Sequence, residues 1–215
     1  KPTARGTVNA GGAAAREIAG IDPDAIMVWV AADHVIQDAE YYRTRSETAG
    51  RVAEAGDRLV TIGLKPTYAA TGFGYIRVGE TVGDALQVLE FVEKPTLRRA
   101  EEYLAAGGYF WNLSMYAWKA ASFLAELERV APRHHAGLLA FKAGEAEYAD
   151  LPNEAVDYAV LERTDRLCLV PATFDWLDVG SWAELPDILP GDENGHSIDG
   201  EWAVRRHRPP RPSSP

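Results

Sequence analysis

One cysteine, Cys168, stands in 215 residues. It has no partner for an intrachain disulfide and no cysteine set for a zinc site. A reducing, cytoplasmic setting fits that usage. Basic charge is also short: 22 Lys and Arg against 32 Asp and Glu leave a net charge of −10. A general nucleic-acid binder carries a basic footprint, so that class is set aside. Long apolar runs are missing too. The longest, Ala25–Ala32, is far too short to span a bilayer, so no membrane partner is expected. No apolar stretch follows Lys1 as a secretory signal requires. Disorder-type composition is absent as well, because 47% hydrophobic and 25% charged residues suit a folded core. The length predicts one domain, or one with a small appendage.

What is present reads as α/β. Thr7 to Ile18 is rich in Ala and Gly and predicts a helix. Ala25 to Ala32 is a continuous apolar run ending in Asp33-His34, read as a strand buried on both faces of a parallel sheet. A polar helix over Ala39–Gly56 and an apolar strand over Leu59–Leu64 continue the alternation. Strands are predicted over 72–78, 85–92, 110–118 and 166–171. Helices are predicted over 98–106, 120–130 (stopped by Pro132) and 157–163. A folded domain is placed over 1–190, followed by a partly ordered to disordered tail over 191–215, where Gly, Asp, Arg and Pro dominate.

Several residues could carry chemistry. Asp33 follows a strand, where ligands bind in open α/β sheets; alone, an Asp there is more often a turn or cap residue, and His34 beside it reads as structural. Glu93 and Lys94 follow the apolar strand 85–92 and are stopped by Pro95. Lys94 could hold a phosphate as a point charge and Glu93 could accept sugar hydroxyls, or the two could be a solvated surface pair. Asp178 lies in Trp176-Leu-Asp-Val-Gly-Ser-Trp182, as a second metal ligand or a helix cap. Gly72 and Gly74 open a loop whose amides can approach a ligand closely. That loop lacks the third glycine of a dinucleotide fingerprint. Asn112, beside Trp111, is a sugar contact or a satisfied core residue.

The order of these motifs resembles the mannose-1-phosphate guanylyltransferases, of the sugar nucleotidyltransferase group. That family reads E-P-x-x-R-N-T, A-D-H, K-P with T-G-Y-G-Y-I, F-V-E-K-P, W-N-S-G-M-F, D-Y-A-V-M-E and D-V-G-S-W. Here stand Lys1-Pro-Thr-Ala-Arg5-Gly-Thr7, Ala32-Asp-His34, Lys65-Pro66 with Thr71-Gly-Phe-Gly-Tyr-Ile76, and Phe91-Val-Glu-Lys-Pro95. Then follow Trp111-Asn-Leu-Ser-Met-Tyr116, Asp157-Tyr-Ala-Val-Leu-Glu162 and Asp178-Val-Gly-Ser-Trp182. The match covers about residues 1 to 200.

The resemblance implies a nucleotide-diphospho-sugar transferase fold, GT-A or Rossmann-like, with a mixed, mostly parallel sheet. It implies the reaction of GTP with mannose 1-phosphate to give GDP-mannose and pyrophosphate. Asp33 and Asp178 would hold Mg²⁺ or Mn²⁺, and Asp33, Lys94 and Asp178 would be the catalytic set. Glu93, Lys94, Asn112, Gly72 and Gly74 would form the sugar-phosphate site, with Arg5 and Thr7 near the nucleotide. A homo-oligomer is compatible with it.

Leu113-Ser114 departs from the family's Ser-Gly, putting a bulkier side chain beside the expected sugar pocket. The family's opening G-G-x-G-x-R-x-x-P, which grips the triphosphate, has no counterpart among the 215 residues, and Gly11-Gly12 lacks the strand and the Arg and Pro it needs. A catalytic domain truncated at its amino terminus, inactive as these residues alone, is therefore expected. The alternatives are a nucleotidyltransferase for another sugar 1-phosphate, or a non-catalytic remnant that binds a sugar phosphate or a partner subunit.

Overall fold

The computed structural model describes residues 3–179 and the backbone of two short strands, 196–199 and 202–205. Helix α1 (Gly6–Ile21) leads to strand β1 (Ile26–Trp29) and to β2 (His34–Ile36). Helix α2 (Ala39–Gly56) and β3 (Leu59–Leu64) follow, then β4 (Tyr75–Val82) and β5 (Ala85–Val92). Next come α3 (Leu97–Ala106), β6 (Tyr109–Lys119), α4 (Ala120–Val130) and α5 (Pro132–Ala143). A 3-10 turn (Tyr148–Asp150) and a π-helical turn (Asp157–Leu161) precede β7 (Leu167–Ala172) and β8 (Trp176–Asp178). Strands β9 (His196–Asp199) and β10 (Trp202–Arg205) complete the described elements. They form two compact units: Lys1–Ala31 with Ala39–Phe174, and Ala32–Asp38 with Asp175–Pro215.

The first unit is built on a six-stranded sheet in the order β1-β6-β3-β7-β5-β4. Strand β6 has three partners, pairing antiparallel with β1, β3 and β4. The β4–β5 hairpin turns on Gly83 and Asp84, and Gly83 supplies the positive φ of +61° that a two-residue hairpin favours. The sheet is mixed, as expected, but it is not mostly parallel. Among the described strands only β3 and β7 run parallel, from Leu59↔Leu167 to Leu64↔Ala172. Apolar runs report burial, which both strand directions can supply; direction is set by partners distant in sequence. Nor is the 25–32 run buried throughout, since Val28 and Val30 are about half exposed.

Helices α1, α4 and α5 pack on one another, and α2 packs against β3 and β6. The core between helices and sheet is aromatic at its centre: Trp118 stacks on Phe123 at 4.7 Å and on Tyr116 at 5.2 Å, with Trp29 edge-on to all three. Local signals explain the helix ends. The Thr96 side chain caps α3 by accepting from the Arg99 amide, and Gly107 closes it at φ +67°. Pro132, read as a stop, is the first-turn residue of α5, where its missing N–H costs nothing. Gly11 and Gly12 lie inside α1 and let it approach Trp29 and Leu138.

In the second unit, β2 and β8 pair antiparallel with His34 opposite Asp178. The Val179 amide donates to the Asp33 carbonyl at 2.9 Å. Strands β9 and β10 pair antiparallel within the stretch assigned to the tail. The rest of 191–215, and Gly180–Trp182, lie outside the described residues.

Candidate functional site

Two constellations collect most of the residues singled out in the sequence, one in each unit. The first lies at the end of β5. Lys94 adopts a left-handed φ of +47°, a conformation that costs an L-residue energy and clusters at functional sites. Its side chain is largely exposed, and its Nζ lies 3.7 Å from Glu93 Oε1. Glu93 is mostly buried, and its Oε2 has no hydrogen-bond partner. Its backbone amide donates to Glu162 Oε1 at 2.9 Å. Burial, then the charge of Asp157, push the Glu93 carboxyl up to about 7, with Lys94 opposing them.

Gly74 makes this packing possible. A Cβ there would stand 2.5 Å from Glu93 Oε2 and 3.2 Å from the Asn112 Cβ. Gly72 faces open space instead. Asn112 is buried and bonded on every side. Its Nδ2 donates to the Tyr116 hydroxyl at 3.0 Å and to Asp157 Oδ1 at 3.2 Å. Its Oδ1 accepts from Thr61 Oγ1 at 3.1 Å and from the Ser114 amide at 3.3 Å. Ser114, where the resembled pattern has Gly, keeps a left-handed φ of +52°. Leu113 is fully buried. Asp157, Tyr116 and Glu162 were given no role in the sequence reading, although each lies in a quoted motif. A π-helical turn at Asp157 leaves no mark on hydrophobic periodicity.

Arg5 and Thr7 sit apart from this cluster's hydrogen bonds. Thr7 Oγ1 accepts from the Val156 amide at 2.8 Å, and Gly6 is pressed on the Glu154 backbone. Asn9 Nδ2 donates to the carbonyls of Arg5 and Pro152, both at 2.6 Å. Buried His134 then bridges Asn9 Oδ1 at 3.0 Å and Glu154 Oε2 at 2.9 Å. The start of α1 is thereby fastened to the segment that leads into Asp157.

The second constellation is Asp33, His34 and Asp178. One ligand atom from each lies within 4.8 Å of the others. The β2–β8 pairing causes this, because it sets His34 opposite Asp178. His34 Nδ1 is buried without a hydrogen-bond partner. Desolvation lowers the basicity of His34, against the raising charges of Asp178 and Asp33. A neutral imidazole beside two carboxylates is a donor set suited to a divalent cation. The sequence pointed to both aspartates but not to His34.

Comparison with known proteins adds to this geometry. The nucleotidyl transferase family profile matches residues 1–195. Mannose-1-phosphate guanylyltransferase RfbM of Salmonella typhimurium is 37% identical over 190 residues, covering 83% of this chain and 40% of the relative. A mannose-1-phosphate guanylyltransferase of Escherichia coli is 38% identical over 196 residues, covering 84% of this chain and 41% of the relative. The chain thus spans less than half the length of these relatives. Among solved structures, mannose-1-phosphate geranyltransferase from Thermus thermophilus is similar with a TM-score of 0.77 and 35% identity, over 90% of this chain and 58% of that one.

Proposed function

The chain belongs to the nucleotidyl transferase family, and on that premise we propose that it serves the reaction of GTP with mannose 1-phosphate to give GDP-mannose and pyrophosphate. The observation that carries this reading is the Glu93–Lys94 pair at the end of β5. It offers a buried carboxyl for sugar hydroxyls and an exposed ammonium for a sugar phosphate within one short turn. The relatives named as guanylyltransferases support the choice of base and sugar. A cytoplasmic setting suits these soluble anionic substrates.

In this reaction a phosphate oxygen of the sugar phosphate attacks the α-phosphorus of the nucleotide in line. Both partners are anionic, so fixed cationic groups must offset their repulsion. Lys94 is the cation this chain places beside the sugar-phosphate site. Its left-handed backbone follows Glu93 directly, and the next residue, Pro95, is buried. Glu93, poised near neutrality, can accept from one hydroxyl and, when protonated, donate to another oxygen. Gly74 keeps side-chain atoms out of the space Glu93 needs.

Mg²⁺ or Mn²⁺ is the cofactor of this reading. Asp33 and Asp178 would hold it, and His34 brings a third donor within the same 4.8 Å. When bound, a divalent cation neutralises phosphate charge and orients the phosphoryl oxygens.

Calorimetry on the 215-residue chain tests the reading. Mannose 1-phosphate should bind more tightly than glucose 1-phosphate, and free mannose should bind much more weakly than either. Equal affinity for all three, or no binding of mannose 1-phosphate, overturns it. Pyrophosphate release from GTP in the presence of mannose 1-phosphate is the corresponding activity, and these 215 residues alone, without a counterpart of the triphosphate-gripping motif, are expected to show none.

A further inference from the structure

Asn112 has nothing left to offer a ligand. An amide side chain has two donor hydrogens and two acceptor lone pairs. All four are used here, on Tyr116, Asp157, Thr61 and Ser114. The residue at the end of that network is Asp157. Its Oδ1 accepts from the Tyr116 hydroxyl at 2.9 Å and from Asn112 Nδ2 at 3.2 Å. Its Oδ2 receives no hydrogen bond among the described residues. Tyr116 and Asn112 are buried, whereas Asp157 is only partly so. Two rigid, buried donors therefore fix one oxygen of a carboxylate and leave the other to solvent or a ligand.

Across Asn112 lies Glu93, whose Oε2 is likewise without a partner. The two carboxyl groups are close enough for the charge of Asp157 to act on Glu93. Neighbouring acceptors on a rigid frame match the neighbouring hydroxyl donors of a sugar ring. We propose that Asp157 is a substrate-binding residue that receives a ring hydroxyl of the sugar beside Glu93, with Asn112 and Tyr116 as the positioning residues that set its carboxylate. This rests on the sugar-phosphate reading above. It gives Asp157 the direct contact first assigned to Asn112.

A binding cycle decides it. Mannose 1-phosphate and its 2-, 3- and 4-deoxy analogues are titrated into the wild-type chain, Asp157→Asn and Tyr116→Phe. A lost hydrogen bond to a charged acceptor should weaken mannose 1-phosphate by about tenfold or more in Asp157→Asn. For one deoxy analogue the same substitution should change nothing, because the hydroxyl it meets is already gone. Tyr116→Phe should give a smaller loss, about threefold, that vanishes for that same analogue, and it serves if Asp157→Asn fails to fold. Equal losses for every analogue would mark Asp157 as merely structural and overturn the proposal, as would an unchanged affinity. If wild type fails to bind mannose 1-phosphate at all, the sugar-phosphate reading itself falls. If wild type binds and the cycle shows no coupling, only the role of Asp157 falls.

Discussion

Gly11 lies so close to the indole of Trp29 that a Cβ on it would stand 1.8 Å from Trp29 Cζ3. Trp29 is itself wedged against Tyr116, Trp118 and Phe123, so it has little room to retreat. Gly11→Ala should therefore destabilise by about 1–3 kcal/mol, outweighing the helix propensity that alanine gains. Gly12→Ala meets the methyl ends of two buried side chains, Leu138 and Leu127, rather than the face of a rigid ring. It should cost less than Gly11→Ala. Paired urea melts compare the two.

Glu93 makes stability depend on pH in a defined direction. Its folded-state pKa is raised from 4.5 to about 7, so the folded protein prefers the protonated carboxyl. The associated stability is complete below the unfolded value and is lost as pH rises through about 7. Wild type minus Glu93→Gln should show a decline of at most about 3 kcal/mol across that window. Chemical melts at about pH 4.5, 6 and 8 measure it. A flat difference would contradict the buried, charge-crowded setting of Glu93.

Metal affinity should follow the three donors of the second unit. Asp33→Asn and Asp178→Asn should each weaken Mn²⁺ binding by at least about tenfold, and His34→Ala should weaken it by less. Paramagnetic resonance of free Mn²⁺ titrated with protein reads this directly. Unchanged binding in both Asp variants would remove the site.

Ser114 holds a left-handed backbone that an L-residue enters at a cost. Ser114→Gly should be neutral to stabilising, by up to about 1 kcal/mol after the larger chain entropy of glycine is counted. Ser114→Val, β-branched in the same conformation, should cost at least about 1–2 kcal/mol. Thermal melts of the two variants separate strain from side-chain loss.

Local structure was largely legible in the sequence. Helix α2 and strands β3 and β5 begin and end where composition placed them, because each is a run of one periodicity bounded by turn residues. Helix α5 was not seen. His134, His135 and Gly137 interrupt any apolar stripe, and Pro132 reads equally well as a stop or a start. Strand direction was misread because it depends on β6, far along the chain from β1 and β3. At the sites, the spacing of motifs pointed to Asp33, Asp178, Glu93 and Lys94. It could not show that Asn112 is saturated, since its partners Thr61 and Asp157 lie 51 and 45 positions away.

The three pairings of β6 also bear on how the protein is made. Strand β1 pairs with β6, and β3 waits for both β6 and β7, whereas the β4–β5 hairpin can close by itself. During synthesis β1 and β3 therefore leave the ribosome before the partners they pair with here. Roughly ninety residues separate β1 from its partner, which at ~5–20 residues per second means a wait of roughly 5–20 s. Until those partners are made, Met27 and Trp29, and later Val60 and Ile62, lack their strand neighbours and are open to chaperones and to other chains. Slower translation after β3 should lower the soluble yield, and slower translation after β7 should not.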